Sequence, residues 1–285
     1  ILHEEGLDSG RLGIEKNSLY LPMNISEGIQ LALPNVDWVD ASELIFHQRA
    51  ALSPSEVAYT QNAAAVTDAM MKAAIETAAA GVTENEVAAE VHRAMILAGG
   101  EFPAFGPFIR STPTLGLEHG TWTDRTLEAG DALFIELSGC VARYHAPMGR
   151  LIFVDKKPAG TEEIAQVCIE AFENVTQAIR PGVTATEVYQ AWQDPVDAAG
   201  LGHYRRHHCG YMVGSAFPPA WSGGGVPRGL RHNSLLKLRE GMVFHLLSWL
   251  MHTGQAGDYF ISDTVLVTAN GCKQLTAIPQ QVHVV

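Results

Sequence analysis

"GVTENEVAAEVHRAMILAGG", residues 81–100, and "GVTATEVYQAWQDPVDAAG", residues 182–200, follow one pattern. Each carries a glycine that stops a helix, a threonine cap, a glutamate three residues after the cap, and a second helix. That spacing is a capping box, in which hydroxyl and carboxylate each satisfy an orphan backbone N–H. A long helical run precedes each copy. Before the first it is "SPSEVAYTQNAAAVTDAMMKAAIETAAAG", residues 53–81, with Ser53 as N-cap, Pro54 at the first helical position and Glu56 three residues after the cap. Downstream, "LEAGDALFIELSG" (127–139) and "LREGMVFHLLSWL" (238–250) also pair, each a turn at glycine followed by a β-rich run.

Two repeats are too few for a solenoid. The expected fold is α+β: two pseudo-twofold-related helix-helix-strand halves sharing one curved antiparallel sheet backed by helices, spanning 51–285. Residues 1–50 read as a strand and turn ("RLGIEKNSLYLP"), a helix ("ISEGIQLALP") and a strand ("NVDWVDA"), too little to bury a core alone. In the repeat Glu136 corresponds to Leu247, and His245 lies two residues before Leu247 on the same strand face. His245 is therefore expected to face the same sheet centre as Glu136, where a ligand site belongs.

The chain of 285 residues has 47% hydrophobic and 18% charged residues and a formal net charge of -12, with no basic run. Nucleic acid and anionic membranes are thereby disfavoured as partners, and a small molecule is expected. The four cysteines, Cys140, Cys168, Cys209 and Cys272, form no C-x-x-C pair, which argues against a zinc knuckle or disulfide framework and for a reducing, cytoplasmic location. No apolar run approaches the roughly 20 residues a bilayer requires, and "ILHEEGLDSG" is unlike a signal peptide. Because the sequence opens at Ile1, an upstream segment is expected to have been removed or to be missing.

From Ser53 onward the chain resembles the creatinase, aminopeptidase P and methionine aminopeptidase superfamily, the pita-bread fold. The resemblance rests on "FPAFGPFIRSTPTLGLEHGTWTDRTLEAGDALFIELSG", "RYHAPMGRLIF", "HHCGYMVG", "REGMVFH" and "DTVLVTANG", in that order. It implies that residues 1–50 are the remnant of an amino-terminal creatinase-type domain with its linker, and that the protein is a homodimer in which that domain borders the partner's site. Metal-dependent members hold two divalent ions with five residues, whose positions fall here on Glu136, Pro147, Tyr211, Leu247 and Ser262. One carboxylate among five cannot hold a pair of hard cations, so no metal and no other cofactor is expected. The family's catalytic histidine is matched by His119, seventeen residues before Glu136. This is the pattern of the metal-free branch, and "FIELSG", "ARYHAPMGR", "GYMVGSAFPPAW" and "GMVFH" resemble ectoine hydrolase more than creatinase.

The expected catalytic residues are His119 as general acid/base, Glu136 as cation binder or nucleophile, and His245. A carboxylate in "ALFIEL" needs a partner; the structural alternative is an ion pair with Arg143 or Arg150. His245 can be an acid/base partner, a substrate hydrogen-bonder, or a buried ring tied to backbone. Substrate-binding candidates are His145, chosen over Tyr144 by strand alternation; Tyr211, otherwise a core tyrosine; Trp221 as an aromatic wall; and His207 in the "RRHH" cluster, otherwise a solvated loop. "SGGGVPRG", residues 222–229, lacks P-loop chemistry and reads as a flexible loop or lid. The expected function is hydrolysis of a non-peptide carbon–nitrogen bond in a small cationic amidine or guanidino acid. Two alternatives are a metal-dependent Xaa-Pro dipeptidase with a degenerate site and a non-catalytic ligand- or peptide-binding module.

Overall fold

The computed structural model describes residues 1–223 and 227–285, so the loop expected over 222–229 falls partly outside the described residues. Three capping boxes form where the sequence places them. Ser53 with Glu56 opens α3 (Pro54–Thr77), Thr83 with Glu86 opens α4 (Glu84–Leu97), and Thr184 with Glu187 opens α6 (Ala185–Val196). Each cap contributes about 1 kcal/mol. Gly81 and Gly182 both take a left-handed backbone, φ 91° and 90°, which lets the chain turn into each capped helix without a side-chain clash.

The first half continues with β3 (Phe108–Ser111), β4 (Ala132–Val141) and β5 (Tyr144–Phe153). The second half supplies α5 (Thr161–Ala178), α6, β6 (Gly210–Met212), β7 (Val243–Leu250) and β8 (Tyr259–Thr268). The strands run in the order β3-β4-β5-β8-β7-β6, so the halves are mirrored about the β5–β8 seam. Two short strands complete this sheet: β9 (Gly271–Gln274) pairs antiparallel with β8, and β10 (His283–Val284) pairs with β5 in parallel. That parallel pair departs from the wholly antiparallel expectation.

Period-two burial sets which side chains face the site. Leu133, Ile135 and Leu137 pack with Met70 and Met71 of α3 and Val87 and Val91 of α4. Phe134, Glu136 and Ser138 therefore turn to the opposite, concave face. In β7, Ser248 is tied to α5 and α6: its Oγ donates to the Cys168 carbonyl (2.6 Å) and accepts from Trp192 Nε1 (3.0 Å). His245, Leu247 and Trp249 thus share the concave face.

Beneath the seam, Arg150 and Asp263 form a fully buried ion pair, Nη2 to Oδ1 3.0 Å. Arg150 also donates to the carbonyls of Gly149, Ser262, Ile278 and Pro279, and Asp263 accepts from Thr276 and Gln280. Every group of the pair is engaged, the condition under which buried charges are tolerated.

Residues 1–50 form a separate parallel pair, β1 (Gly10–Ile14) with β2 (Val36–Asp40), beside α1 (Met23–Ala32) and α2 (Ser42–Arg49). The helix α2 was not anticipated: "SELIFHQR" buries no residue and has little apolar periodicity to announce it. This segment touches the sheet domain through Arg49 Nη2 on the Ser215 carbonyl (2.7 Å) and Tyr20 Oη on the Phe217 carbonyl (2.9 Å). No helix among the described residues is long and apolar enough to cross a membrane.

Candidate active site

The seam is where the halves come closest. Gly149 of β5 lies opposite Ser262 of β8, Glu136 lies opposite Gly149, and Leu247 lies opposite Ser262. A Cβ on Gly149 would stand 2.3 Å from Phe260 Cε1 and 2.8 Å from Ser262 Oγ, so glycine is required for the two halves to meet. The expected correspondence of Glu136 with Leu247 is thus a physical one: each sits one strand out from the seam on its own side.

Glu136 is 7% exposed, and no described protein group donates a hydrogen bond to its carboxylate. Neither proposed structural partner reaches it. Arg143 is held by the Ala216 and Phe102 carbonyls and by Glu101 (3.6 Å), and Arg150 by Asp263 on the far face. Burial raises the Glu136 pKa to about 7, against the attraction of Arg110 and Arg206 and with the repulsion of Glu118. A carboxyl poised near neutrality in a concave site can exchange a proton in either direction.

Beside it runs a hydrogen-bonded chain. Trp221 Nε1 donates to Tyr211 Oη (2.7 Å), Tyr211 Oη meets His245 Nδ1 (2.9 Å), and His245 Nε2 meets Ser262 Oγ (2.8 Å). His245 is fully buried, and burial pulls its pKa down to about 3, so the ring is neutral; its Nδ1 lies 3.8 Å from Glu136 Oε1. With the ring proton on Nδ1, Tyr211 Oη accepts twice and its own proton is free to point into the site; with it on Nε2, Tyr211 donates to His245. The tautomer of His245 therefore controls whether Tyr211 offers a donor to a ligand. Burial and the charge of Glu136 push the Tyr211 pKa well up, so it acts as a hydroxyl.

The remaining expected residues are placed unequally. Trp221 is buried and packs edge-on against Phe105 (5.0 Å between centroids), Phe108 (5.9 Å) and His245 (6.1 Å), forming a wall. His119 is exposed at the rim of that cluster, 5.1 Å from Phe108 and 6.2 Å from Phe105. His145 lies on the concave face four residues from Gly149, with Nε2 accepting from Ala104 N (2.9 Å) and Nδ1 3.4 Å from the Gly214 carbonyl, so backbone holds its ring. His207 is exposed, whereas its neighbour His208 turns inward, 5.4 Å from Tyr211 ring to ring. The "RRHH" cluster precedes the strand, which begins only at Gly210, so no strand alternation fixes which of its rings turns inward.

Arg110 escapes the sequence reading, and Ser262 enters it only as a replaced metal-ligand position. Ser262 anchors His245 by hydrogen bond, and Arg110 lies on β3 opposite Phe134, on the Glu136 face. The available signal for Arg110 was a charge inside the apolar run "PFIRS", in the same parity as Phe108. The cleft of about 190 Å³ lined by Tyr20, Phe46, Arg49, Glu56 and Tyr144 lies between residues 15–50 and the sheet, away from Glu136.

The fold brings the five metal-ligand positions together at the seam, and their chemistry can be tested directly. Pro147 and Leu247 have no side-chain donor atom, Tyr211 and Ser262 are committed to His245, and Glu136 alone is a carboxylate. Among the described residues no group of three or more His, Cys, Asp or Glu could hold a metal ion. The residues present do not fit a dinuclear centre.

Fold and site together define a pita-bread hydrolase with a single carboxylate at its centre. The chain belongs to metallopeptidase family M24, whose model matches residues 58–269. It is 35% identical to an uncharacterized hydrolase/peptidase of Sinorhizobium fredii over 96% of this chain and 69% of the relative. It is 27% identical to the ectoine hydrolase of Halomonas elongata over 100% of this chain and 72% of that enzyme. The prolidase of Pyrococcus horikoshii OT3 superposes with a TM-score of 0.85 at 28% identity, over 96% of this chain and 76% of that one.

Proposed function

We propose that this chain is a metal-independent hydrolase of a non-peptide carbon–nitrogen bond in a small cationic, carboxylate-bearing amidine or guanidino compound of the ectoine or creatine type. The observation that supports this reading is the state of Glu136: one nearly buried carboxyl, without a direct protein donor, where metal-dependent relatives would need five ligands. A planar amidinium donates two parallel N–H groups to such a carboxylate and favours its ionised form. Trp221 and Phe108 offer aromatic faces to the same cation.

In this reading Glu136 either activates water or attacks the electrophilic carbon, and either route places a tetrahedral centre beside it. Tyr211, with the His245 ring proton on Nδ1, donates to developing negative charge. His119 carries protons between the rim and the leaving nitrogen, while His145 and His207 shape the approach. A homodimer, an amino-terminal domain of which residues 1–50 are part, and a cytoplasmic setting complete the proposal.

A second reading, metal-dependent cleavage of Xaa-Pro dipeptides, is favoured by the likeness to prolidase and opposed by the donor set. Hydrolysis of ectoine, creatine and a proline dipeptide, each with and without chelator, separates them. Chelator-insensitive turnover of ectoine or creatine, lost in Glu136→Gln, is expected. Chelator-sensitive dipeptide cleavage refutes the proposal.

A further inference from the structure

Among the described residues two arginines are fully buried, Arg110 and Arg150, and they are opposites. Arg150 has Asp263 and four carbonyls around it. Arg110 has one protein acceptor: its Nε donates to the Leu115 carbonyl at 3.2 Å, and neither Nη1 nor Nη2 has a partner among the described residues. Two unmatched terminal nitrogens on a buried cation lose their hydration with nothing in the protein to replace it. Such a group is retained where something else supplies the acceptor.

Its setting is fixed and belongs to the site. The guanidinium carbon stands 3.7 Å from the Phe134 ring centroid, and Phe134 is stacked on Phe260 at 4.7 Å. The turn carrying Glu118 and His119 closes over the side chain: a Cβ on Gly120 would be 3.3 Å from Arg110 Cδ. Glu136 and Glu118 raise the Arg110 pKa, but burial outweighs them and brings it to about 10. Arg110 is thus still a cation at neutral pH, while Glu136, half protonated near pH 7, is an incomplete counter-charge and Glu118 is engaged by Arg206 at 3.4 Å.

We propose that Arg110 is the anchor for the substrate carboxylate. Its free Nη1 and Nη2 present the planar fork that a carboxylate fills with paired hydrogen bonds, and stacking on Phe134 holds that plane in advance. A zwitterionic substrate then spans the site with its carboxylate on Arg110 and its cationic end on Glu136. The proposal rests on the function proposed above for the cationic end alone. Entry is past Glu118 and His119, both exposed at the rim.

The test uses pairs of probes differing in one group. Guanidinoacetate and methylguanidine share the cation and differ in the carboxylate; acetate and acetamide share a shape and differ in charge. Calorimetric or saturation-transfer titration of the full chain is expected to show guanidinoacetate bound about tenfold or more tighter than methylguanidine. Arg110→Met should erase that preference, so that guanidinoacetate binds no tighter than methylguanidine. Equal affinity of the two guanidines in the wild-type protein, or a preference that survives Arg110→Met, overturns the anchor. If Arg110→Met does not fold, acetate against acetamide in the wild-type chain and in Arg110→Lys decides: acetate must bind better, and the lysine must lose most of the gain. Failure of the cationic reading shows differently, as methylguanidine binding that is indifferent to Glu136→Gln while acetate still prefers Arg110.

Discussion

Replacing Glu136 by glutamine should stabilise the fold in a pH-dependent way. The folded-state pKa of about 7 lies above the ordinary 4.5, so the folded chain holds this proton more tightly than the unfolded chain. Below about pH 4.5 both states are protonated and the carboxyl imposes no penalty. As pH rises toward 7 the unfolded state ionises first, and stability falls until the folded carboxyl has also ionised. Each pH unit between the two values is worth about 1.4 kcal/mol, so the full cost above neutrality is about 3 kcal/mol. Glutamine keeps the size and removes the charge. Urea unfolding at pH 8.5 should show Glu136→Gln more stable than wild type by about 2–3 kcal/mol, and the two nearly equal at pH 4. An identical difference at both pH values, or a less stable variant at pH 8.5, would mean that Arg110 and Arg206 fully compensate the carboxylate, refuting the reading of Glu136 as poised near neutrality.

The Arg150–Asp263 pair should behave in the opposite sense: Asp263→Ala leaves a buried guanidinium without its anion and is expected to cost about 3–5 kcal/mol by denaturant unfolding. A loss below about 1 kcal/mol would show the four carbonyls suffice on their own. At the seam, Gly149→Ala drives a methyl into Phe260 and should cost about 1–3 kcal/mol. Adding Phe260→Leu should recover part of that loss, measured by thermal unfolding, and no recovery would place the strain elsewhere.

What can be read from the chain alone is what is decided within a few residues. The helix starts at Ser53, Thr83 and Thr184 are written in side chains that bond their own backbone, so local chemistry suffices to place them. The repeat then implies the two halves, and strand parity carries His245 and Glu136 to one face, where the structure sets them 3.8 Å apart. The absence of donors at Pro147 and Leu247 is equally a property of the sequence once the positions are aligned.

Tertiary structure decided how those parts are satisfied. Nothing local indicates that Arg150 turns to Asp263 while Arg110 keeps two free nitrogens, since both are arginines in apolar strands and differ only in what packs against them. The "RRHH" cluster lies before the strand that begins at Gly210, so no local period orients its rings, and it is His208 rather than His207 whose ring meets Tyr211. Ser262 acquires its bond to His245 because β7 and β8 pair in one register, and Gly149 must be glycine because the second half arrives 2.3 Å from where a methyl would stand. Side-chain direction follows from backbone period and is local; which donor meets which acceptor across the seam depends on two halves more than a hundred residues apart in sequence, and only their packing fixes it.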